Sequence, residues 1–257
     1  MGINHLFNLK GKTALVTGGS QGIGKAISLA LAEYGANLII NYRSCKELAT
    51  QTANEIKDLG VECWLIACDL SDESSSETIS TFILENKLEI DILVLNASVQ
   101  YRKPWDQVTS EEFELQINTN LRASLFLVQK LYPLMQKKRW GRILTIGSVQ
   151  QIRAHQQMIV YAASKVAQVS MVKSLAPQFA PFGVTINNLA PGAIATGRNE
   201  EVLADKNYKA IVESKIPVGY VGEAYDCASL ALLLCSEAGR YITGQDMLVD
   251  GGMGLNF

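Results

Sequence analysis

Short apolar runs rich in β-branched residues alternate with longer amphipathic stretches along almost the whole chain. The runs predict strands at Lys12–Thr17, Asn37–Tyr42, Val61–Cys68, Ile90–Leu95, Gly141–Ile146, Val184–Leu189 and Gln245–Val249. The stretches between them predict helices over 22–34, 45–59, 73–87, 111–137, 158–176 and 223–237. Leu38-Ile39-Ile40 and Ile92-Leu93-Val94-Leu95 are continuous apolar runs, as expected of strands covered on both faces. Strand–helix alternation implies parallel strands joined by right-handed crossovers. The expectation is an α/β fold: a doubly wound, seven-stranded parallel sheet with helices on both faces.

Three local features refine that expectation. Thr109 with Glu112 three residues on forms a capping box, which fixes the start of the fourth helix. Pro177 falls where the fifth helix should continue; an interior proline costs about 3 kcal/mol or kinks the helix, so an end or bend is expected near Ala176. The segment 190–222 has no strand signal, and a loop that long is expected to be a lid or binding loop. No linker or repeat divides the chain, so residues 1–257 are expected to form one domain.

With 48% hydrophobic and 19% charged residues, a sizeable core is available. A net charge of −2 argues against a nucleic-acid partner, since gripping phosphates needs a concentrated positive surface. The basic run Lys137-Lys138-Arg139 reads as a helix end, where positive charge suits the dipole. The five cysteines are scattered with no C-x-x-C pair, so neither a disulfide framework nor a metal site is expected. The first residues lack the pattern of a signal peptide, and no run approaches the ~18 apolar residues of a membrane span. A cytoplasmic protein with no membrane partner is the expectation.

The first strand runs into Thr17-Gly18-Gly19-Ser20-Gln21-Gly22-Ile23-Gly24, and a helix follows at once. Glycines let the backbone turn tightly and approach a pyrophosphate, which the helix N-terminus then holds. Strand, glycine-rich turn and helix in this order point to an NAD(P)-binding Rossmann domain. Eighteen residues beyond Gly24, at the end of the second strand, an acid commonly holds the ribose hydroxyls of NAD. Tyr42 stands there instead, followed by Arg43 and Ser44. No carboxylate is present to repel a 2′-phosphate and a guanidinium is adjacent, which favours NADP(H) over NAD(H). Asp69, with Leu70 beside it, ends the third strand and is placed to accept from the adenine amino group. Asn96 and Ala97 end the fourth strand on the same carboxyl edge, where such sheets bind ligands.

Tyr161 and Lys165 stand four residues apart on a predicted helix, hence on one face. Hydride transfer to a carbonyl leaves an alkoxide that must take a proton, and the reverse reaction needs a base. A phenol ordinarily titrates near ~10, and a nearby cation favours its ionised form; such a pair suits acid–base work. Tyr42 and Lys46 share the spacing, so spacing alone does not decide. Context favours Tyr161: Ser148 lies just past the fifth strand, placed to hydrogen-bond a carbonyl. Asn120 lies inside the fourth helix, where its amide could hold a water for proton relay.

Together these residues identify the chain as resembling the short-chain dehydrogenase/reductase superfamily, in its single-domain class. The likeness covers the turn at 17–24, Asp69, Asn96-Ala97, Asn120, Ser148, Tyr161 with Lys165, Pro191-Gly192 with Thr196, and Asp250-Gly251-Gly252. It implies a catalytic tetrad of Asn120, Ser148, Tyr161 and Lys165, with Lys165 also holding the nicotinamide ribose. It further implies that Ile194 and Thr196 meet the carboxamide, and that the protein is a homotetramer. The small residues Ala162, Ala163, Ala167 and Ser170 would permit close helix packing. One departure concerns the loop after the fourth strand: Leu95-Asn96-Ala97-Ser98 replaces the family's Asn-Asn-Ala-Gly, and altered loop packing is expected.

The loops at the carboxyl edge carry Gln100, Arg102, Gln150, Gln151, Arg153, His155, Arg198 and Asn199, a polar, cationic set suited to a hydroxylated or anionic small molecule. Ser98, Gln150 and His155 are the candidate substrate contacts. The turn at 41–44 and the segment from Pro191 to Arg198 resemble glucose and gluconate dehydrogenases. Two alternatives stay open at this level: a 3-oxoacyl-(acyl carrier protein) reductase, which would need a basic docking surface, and a cofactor-binding scaffold without turnover.

Overall fold

The structure, a computed structural model, describes residues 2–197, 199 and 204–255. The strands are β1 (Thr13–Thr17), β2 (Asn37–Tyr42), β3 (Cys63–Ala67), β4 (Ile92–Leu95), β5 (Gly141–Ile146), β6 (Val184–Pro191), β7 (Ile194–Ala195), β8 (Gly222–Glu223) and β9 (Asp246–Val249). The helices are α1 (Gly22–Glu33), α2 (Lys46–Asp58), α3 (Ser75–Glu85), α4 (Ser110–Ile117), α5 (Ala123–Lys138), α6 (Ile159–Phe179), α7 (Lys206–Glu213) and α8 (Ala224–Leu234). Seven of the strands form one parallel sheet in the order β3-β2-β1-β4-β5-β6-β9, the expected doubly wound architecture. Among the described residues no helix is long and apolar enough to cross a membrane.

Side-chain alternation divides the core between the two faces of this sheet. Ala14, Val16, Leu38, Ile40, Ile92 and Val94 pack with α1, α2 and α8. Leu15, Ile39, Leu93, Leu95 and Ile143 pack with α3, α5 and α6 on the other face. Central strands buried on both sides therefore need apolar residues at every position, which is why their sequence shows no period of two. Each such Leu or Ile contributes about 1.5–3 kcal/mol by burial. The order reverses between β1 and β4, so the loops leaving these two strands part in opposite directions and open a crevice at their carboxyl ends.

Three elements differ from the sequence expectation. The capping box is present, with Thr109 Oγ1 accepting from Glu112 N at 3.3 Å, but the helix it starts does not run unbroken to residue 137. Asn118–Arg122 form a π-helical turn between α4 and α5. An extra residue in one turn leaves the flanking amphipathic patterns intact, so periodicity does not reveal it.

Pro177 does not end the fifth helix, because α6 continues to Phe179. The proline lies in the last turns, on the exposed side, and Lys173, four residues earlier, is exposed as well. The lost donor therefore concerns a part of the helix that water reaches. Finally, the 190–222 segment holds the helix α7 and a two-residue parallel ladder between β7 and β8 (Ile194 opposite Gly222, Ala195 opposite Glu223). Arg198 lies outside the described residues.

Candidate active site

The backbone after β1 turns with positive φ at Gly18 (+59°) and Gly22 (+55°), a region that L side chains rarely adopt. Gly24 is required by space: a Cβ there would stand 2.3 Å from the Gly18 carbonyl oxygen and 2.5 Å from Asn96 Nδ2. No side chain caps the N-terminus of α1 and its first turn holds no acid, so the turn presents backbone N–H groups and the positive end of the helix dipole to the crevice. Thr17 and Asn96 fix the turn to the end of β4. Thr17 Oγ1 accepts from Asn96 N (2.9 Å) and Ala97 N (3.0 Å), while Asn96 Nδ2 donates to Thr17 O (2.9 Å) and Gly18 O (3.1 Å). These residues fit a dinucleotide pyrophosphate, which needs such a side-chain-free, donor-rich cradle.

The crevice is a cleft of about 880 Å³. Its walls include Gly18, Ser20, Gln21, Gly22, Ile23 and Gly24 from the glycine turn and Tyr42, Arg43 and Ser44 from the end of β2. Asp69 and Leu70 follow β3, Asn96 and Ala97 follow β4, and Pro191, Gly192, Ile194 and Thr196 come from the end of β6 and β7. All the residues predicted from sequence to contact the cofactor line it, except Lys165. Arg43 and Ser44 are exposed, and no carboxylate lies between Asn41 and Cys45. Asp69 is partly engaged already, its Oδ1 accepting from Ser71 N (2.9 Å) and Ser71 Oγ (2.8 Å). Asn41, which sequence reasoning did not place at the cofactor, donates to Cys68 O at 3.0 Å and so ties β2 to the loop after β3.

Ser148 and Tyr161 line the same cleft, at its other end. Ser148 ends the β5 loop, and its Oγ accepts from Gln150 N at 3.2 Å. Tyr161 and Lys165 lie one turn apart on α6, with Lys165 Nζ 5.5 Å from the phenol ring centroid. Lys165 does not reach the cleft wall; it is 1% exposed and donates to Ile146 O (2.7 Å) and Gln168 Oε1 (3.0 Å). Asn120 sits in the π turn, fully buried. Its amide, which the sequence reading reserved for a water, is bonded to protein: Nδ2 donates to Val99 O and Ser164 Oγ (both 3.0 Å), and Oδ1 accepts from Val99 N (2.8 Å). It thereby braces the loop after β4 against α6.

Beyond Ser148 the cleft is lined by Ser98, Gln100, Arg102, Gln150, His155 and Asn199, joined by Tyr208 and Lys215 from α7 and the residues after it. Tyr208 and Lys215 were missed from sequence because they lie in a stretch with no strand pattern to mark its geometry. Burial holds His155 below its ordinary value, and the positive charges of Arg102 and Lys215 push it further in the same direction. Arg102 Nη1 donates to Tyr208 Oη at 3.4 Å, and both residues line the cleft. Gln150 Oε1 and Thr119 Oγ1, both on lining residues, are buried with no hydrogen-bond partner among the described residues. Gln151 and Arg153 turn away to the C-terminal segment, bonding Asp246 (2.7 Å) and Met253 O (2.5 Å). Among the described residues no group of three or more His, Cys, Asp or Glu is arranged to hold a metal ion.

Comparison with known proteins covers nearly the whole chain. The family profile described as enoyl-(acyl carrier protein) reductase matches residues 18–254. The chain is 34% identical to 3β-hydroxysteroid dehydrogenase 1 of Eggerthella lenta over 249 residues, 96% of this chain and 95% of that protein. It superposes on a 3-oxoacyl-(acyl-carrier-protein) reductase of Agrobacterium tumefaciens with NADP bound, at TM-score 0.93 and 33% identity, covering 98% of this chain and 97% of the other. A gluconate 5-dehydrogenase of Burkholderia cenocepacia in complex with NADP and tartrate superposes at TM-score 0.91 and 30% identity, covering 98% of each chain.

Proposed function

The chain belongs to the short-chain dehydrogenase/reductase family and is a nicotinamide-dependent oxidoreductase, and from that premise we propose that it interconverts a secondary alcohol and a ketone on a small hydroxylated acid, using NADP(H). The observation that carries the substrate class is the convergence of Arg102, His155 and Lys215 at the end of the cleft beyond Ser148 and Tyr161. Positive charge gathered there, on the exposed Arg102 and Lys215 around the half-buried His155, suits a carboxylate. Gln150 Oε1 and Thr119 Oγ1 suit substrate hydroxyls, because a buried polar atom without a partner costs free energy that a ligand hydrogen bond would recover.

A dinucleotide held in the glycine-turn cradle would supply or accept the hydride. Tyr161 donates a proton to the forming alkoxide in reduction and removes it in oxidation. Ser148 Oγ hydrogen-bonds the carbonyl oxygen and fixes the face presented to the cofactor. Lys165, buried beneath Tyr161, places its ammonium near the phenol ring without lining the cleft; Asn120 braces the loop that forms the cleft wall. Arg43, exposed just past the end of β2 with no carboxylate beside it, would pair with a 2′-phosphate, which supports NADP(H) over NAD(H).

Residues 1–257 act as one nucleotide-binding domain, with the described part of 190–222 (190–197, 199 and 204–222) as the lid over the substrate. Leu125 and Phe126 on α5 and Ile159 and Val166 on α6 are exposed apolar residues, and a homotetramer formed through this face would cover them. A carrier-protein substrate is disfavoured because Arg142 is buried and bonded to Ser236 O and Glu237, while Arg139 is tied to Pro181 O.

The deciding experiment measures NADP⁺ and NAD⁺ reduction with gluconate and other aldonates, a 3β-hydroxysteroid and a β-hydroxyacyl thioester. Turnover of an aldonate with NADP⁺ at the highest kcat/KM is expected. Preference for the steroid or the thioester would overturn the substrate assignment, and binding of the cofactor without turnover of any would leave the scaffold.

A further inference from the structure

Gln168 lies one turn beyond Lys165 on α6 and is fully buried. A glutamine without solvent must find partners for both ends of its amide. Lys165 carries only donors, so the oxygen of Gln168 has to face its ammonium, and Oε1 accepts from Nζ at 3.0 Å. That choice turns Nε2 toward α5, where it donates to Ser124 Oγ at 3.3 Å. The serine proton is in turn directed to Asn120 O, at 3.0 Å. Donor and acceptor are thus fixed at every step from Lys165 through Gln168 and Ser124 to the carbonyl of the π turn.

Asn120 closes the circuit by donating from Nδ2 to Ser164 Oγ at 3.0 Å, and Ser164 donates to Tyr161 O at 2.7 Å. Lys165, Gln168, Ser124, Asn120 and Ser164 are each no more than 4% exposed. Bonds in so dry a setting hold their geometry and polarise one another.

We propose that Gln168 is a positioning residue, which fixes the Lys165 ammonium beneath Tyr161 and couples it through Ser124 to the π turn that carries Asn120. The inference rests on the assignment of Tyr161 and Lys165 as the reactive pair. A long lysine side chain has about 2 kcal/mol of rotamer freedom, and the second acceptor beside Ile146 O restricts the head group to one place. Without it the ammonium loses a charge-assisted hydrogen bond in a buried site and moves to find another. Gln168→Met keeps the length and burial of the side chain but removes the acceptor. Gln168→Glu keeps the acceptor, and Ser124→Ala cuts the chain one step further on.

Two readouts test this. The first is the ¹⁵N ammonium resonance of Lys165 in the ligand-free protein, identified by its absence in Lys165→Met. An immobilised, hydrogen-bonded ammonium exchanges slowly enough to be seen, so the signal is expected in the parent and in Gln168→Glu and lost in Gln168→Met. The second is gluconate oxidation with NADP⁺, in which Gln168→Met is expected to lower kcat about tenfold with KM within about twofold, and Ser124→Ala to lower kcat severalfold. An ammonium signal and kcat unchanged in Gln168→Met overturn the proposal. Should that variant not fold, an unchanged signal and kcat in Ser124→Ala overturn the coupling.

Tyr161→Phe assayed alongside separates the two levels. Full activity in it overturns the reactive pair and the inference together, whereas lost activity with indifferent Gln168 variants overturns the inference alone.

Discussion

Asn96 donates two hydrogen bonds to Thr17, from its backbone N to Oγ1 and from Nδ2 to the carbonyl oxygen, both 2.9 Å. The pair joins β1 to β4 where the strand order reverses, so one contact sets both the glycine turn and the cleft wall. Asn96→Ala removes the amide that bridges Thr17 O and Gly18 O and is expected to weaken NADPH binding about tenfold. Thr17→Val is expected to do the same. Because both act on one bonded unit, the double variant should lose less than the product of the two, and fluorescence titration of NADPH measures this.

Arg43 gives a sharper test of cofactor choice. Removing one exposed guanidinium–phosphate pair in Arg43→Ala is expected to raise the Kd for NADPH about tenfold and leave that for NADH within twofold. Equal effects on both cofactors would remove Arg43 from the 2′-phosphate site.

His155 links pH to substrate. Its value lies below the ordinary 6.5, through burial first and the charges of Arg102 and Lys215 next. Between the folded and unfolded values the unfolded chain binds a proton that the folded one refuses. The corresponding stability is therefore present above about pH 6.5 and is lost as pH falls through that window. A bound carboxylate reverses the balance at this site by favouring the charged imidazole. Gluconate binding to the NADP⁺-loaded protein is thus expected to take up protons and to tighten severalfold from pH 7.5 to 5.5, with the dependence flattened in His155→Gln. Calorimetry in buffers of different ionisation enthalpy reads the proton directly.

Cys45 and Cys68 both line the cleft but differ in reactivity. Burial, aided by Asp72 and Asp69, pushes the Cys68 thiol up to about 11, so it stays protonated and inert at neutral pH. Cys45 is exposed. Iodoacetamide is expected to modify Cys45 first, and saturating NADPH to slow that reaction; mass spectrometry of the labelled peptides distinguishes the two sites.

Much of this was legible along the chain because the features are local. Strand runs such as Leu38-Ile39-Ile40 and the turn from Thr17 to Gly24 declare themselves by composition, and the cleft residues they imply follow from the carboxyl edge of the sheet. The π turn at Asn118–Arg122 was not legible, since polar and apolar positions continue through it without a break. Pro177 misled because the penalty of an interior proline shrinks where the affected turn faces water. Lys215 and Tyr208 come to the cleft only through the placement of α7 and the residues after it, and Gln168 differs from any buried helix residue only once its amide is seen to meet Lys165. Sequence places residues on a face; it does not show which faces meet.

The proton transfer assigned to Tyr161 is tested most directly by the steady-state kinetics of Tyr161→Phe. The phenol lies on α6 over Lys165 in the cleft that also holds Ser148, and removing only its hydroxyl should leave that packing intact. With gluconate and NADP⁺ the variant is expected to lose at least about a hundredfold in kcat while the Kd for NADPH stays within twofold. A variant that keeps more than a tenth of the parent kcat would contradict the assignment.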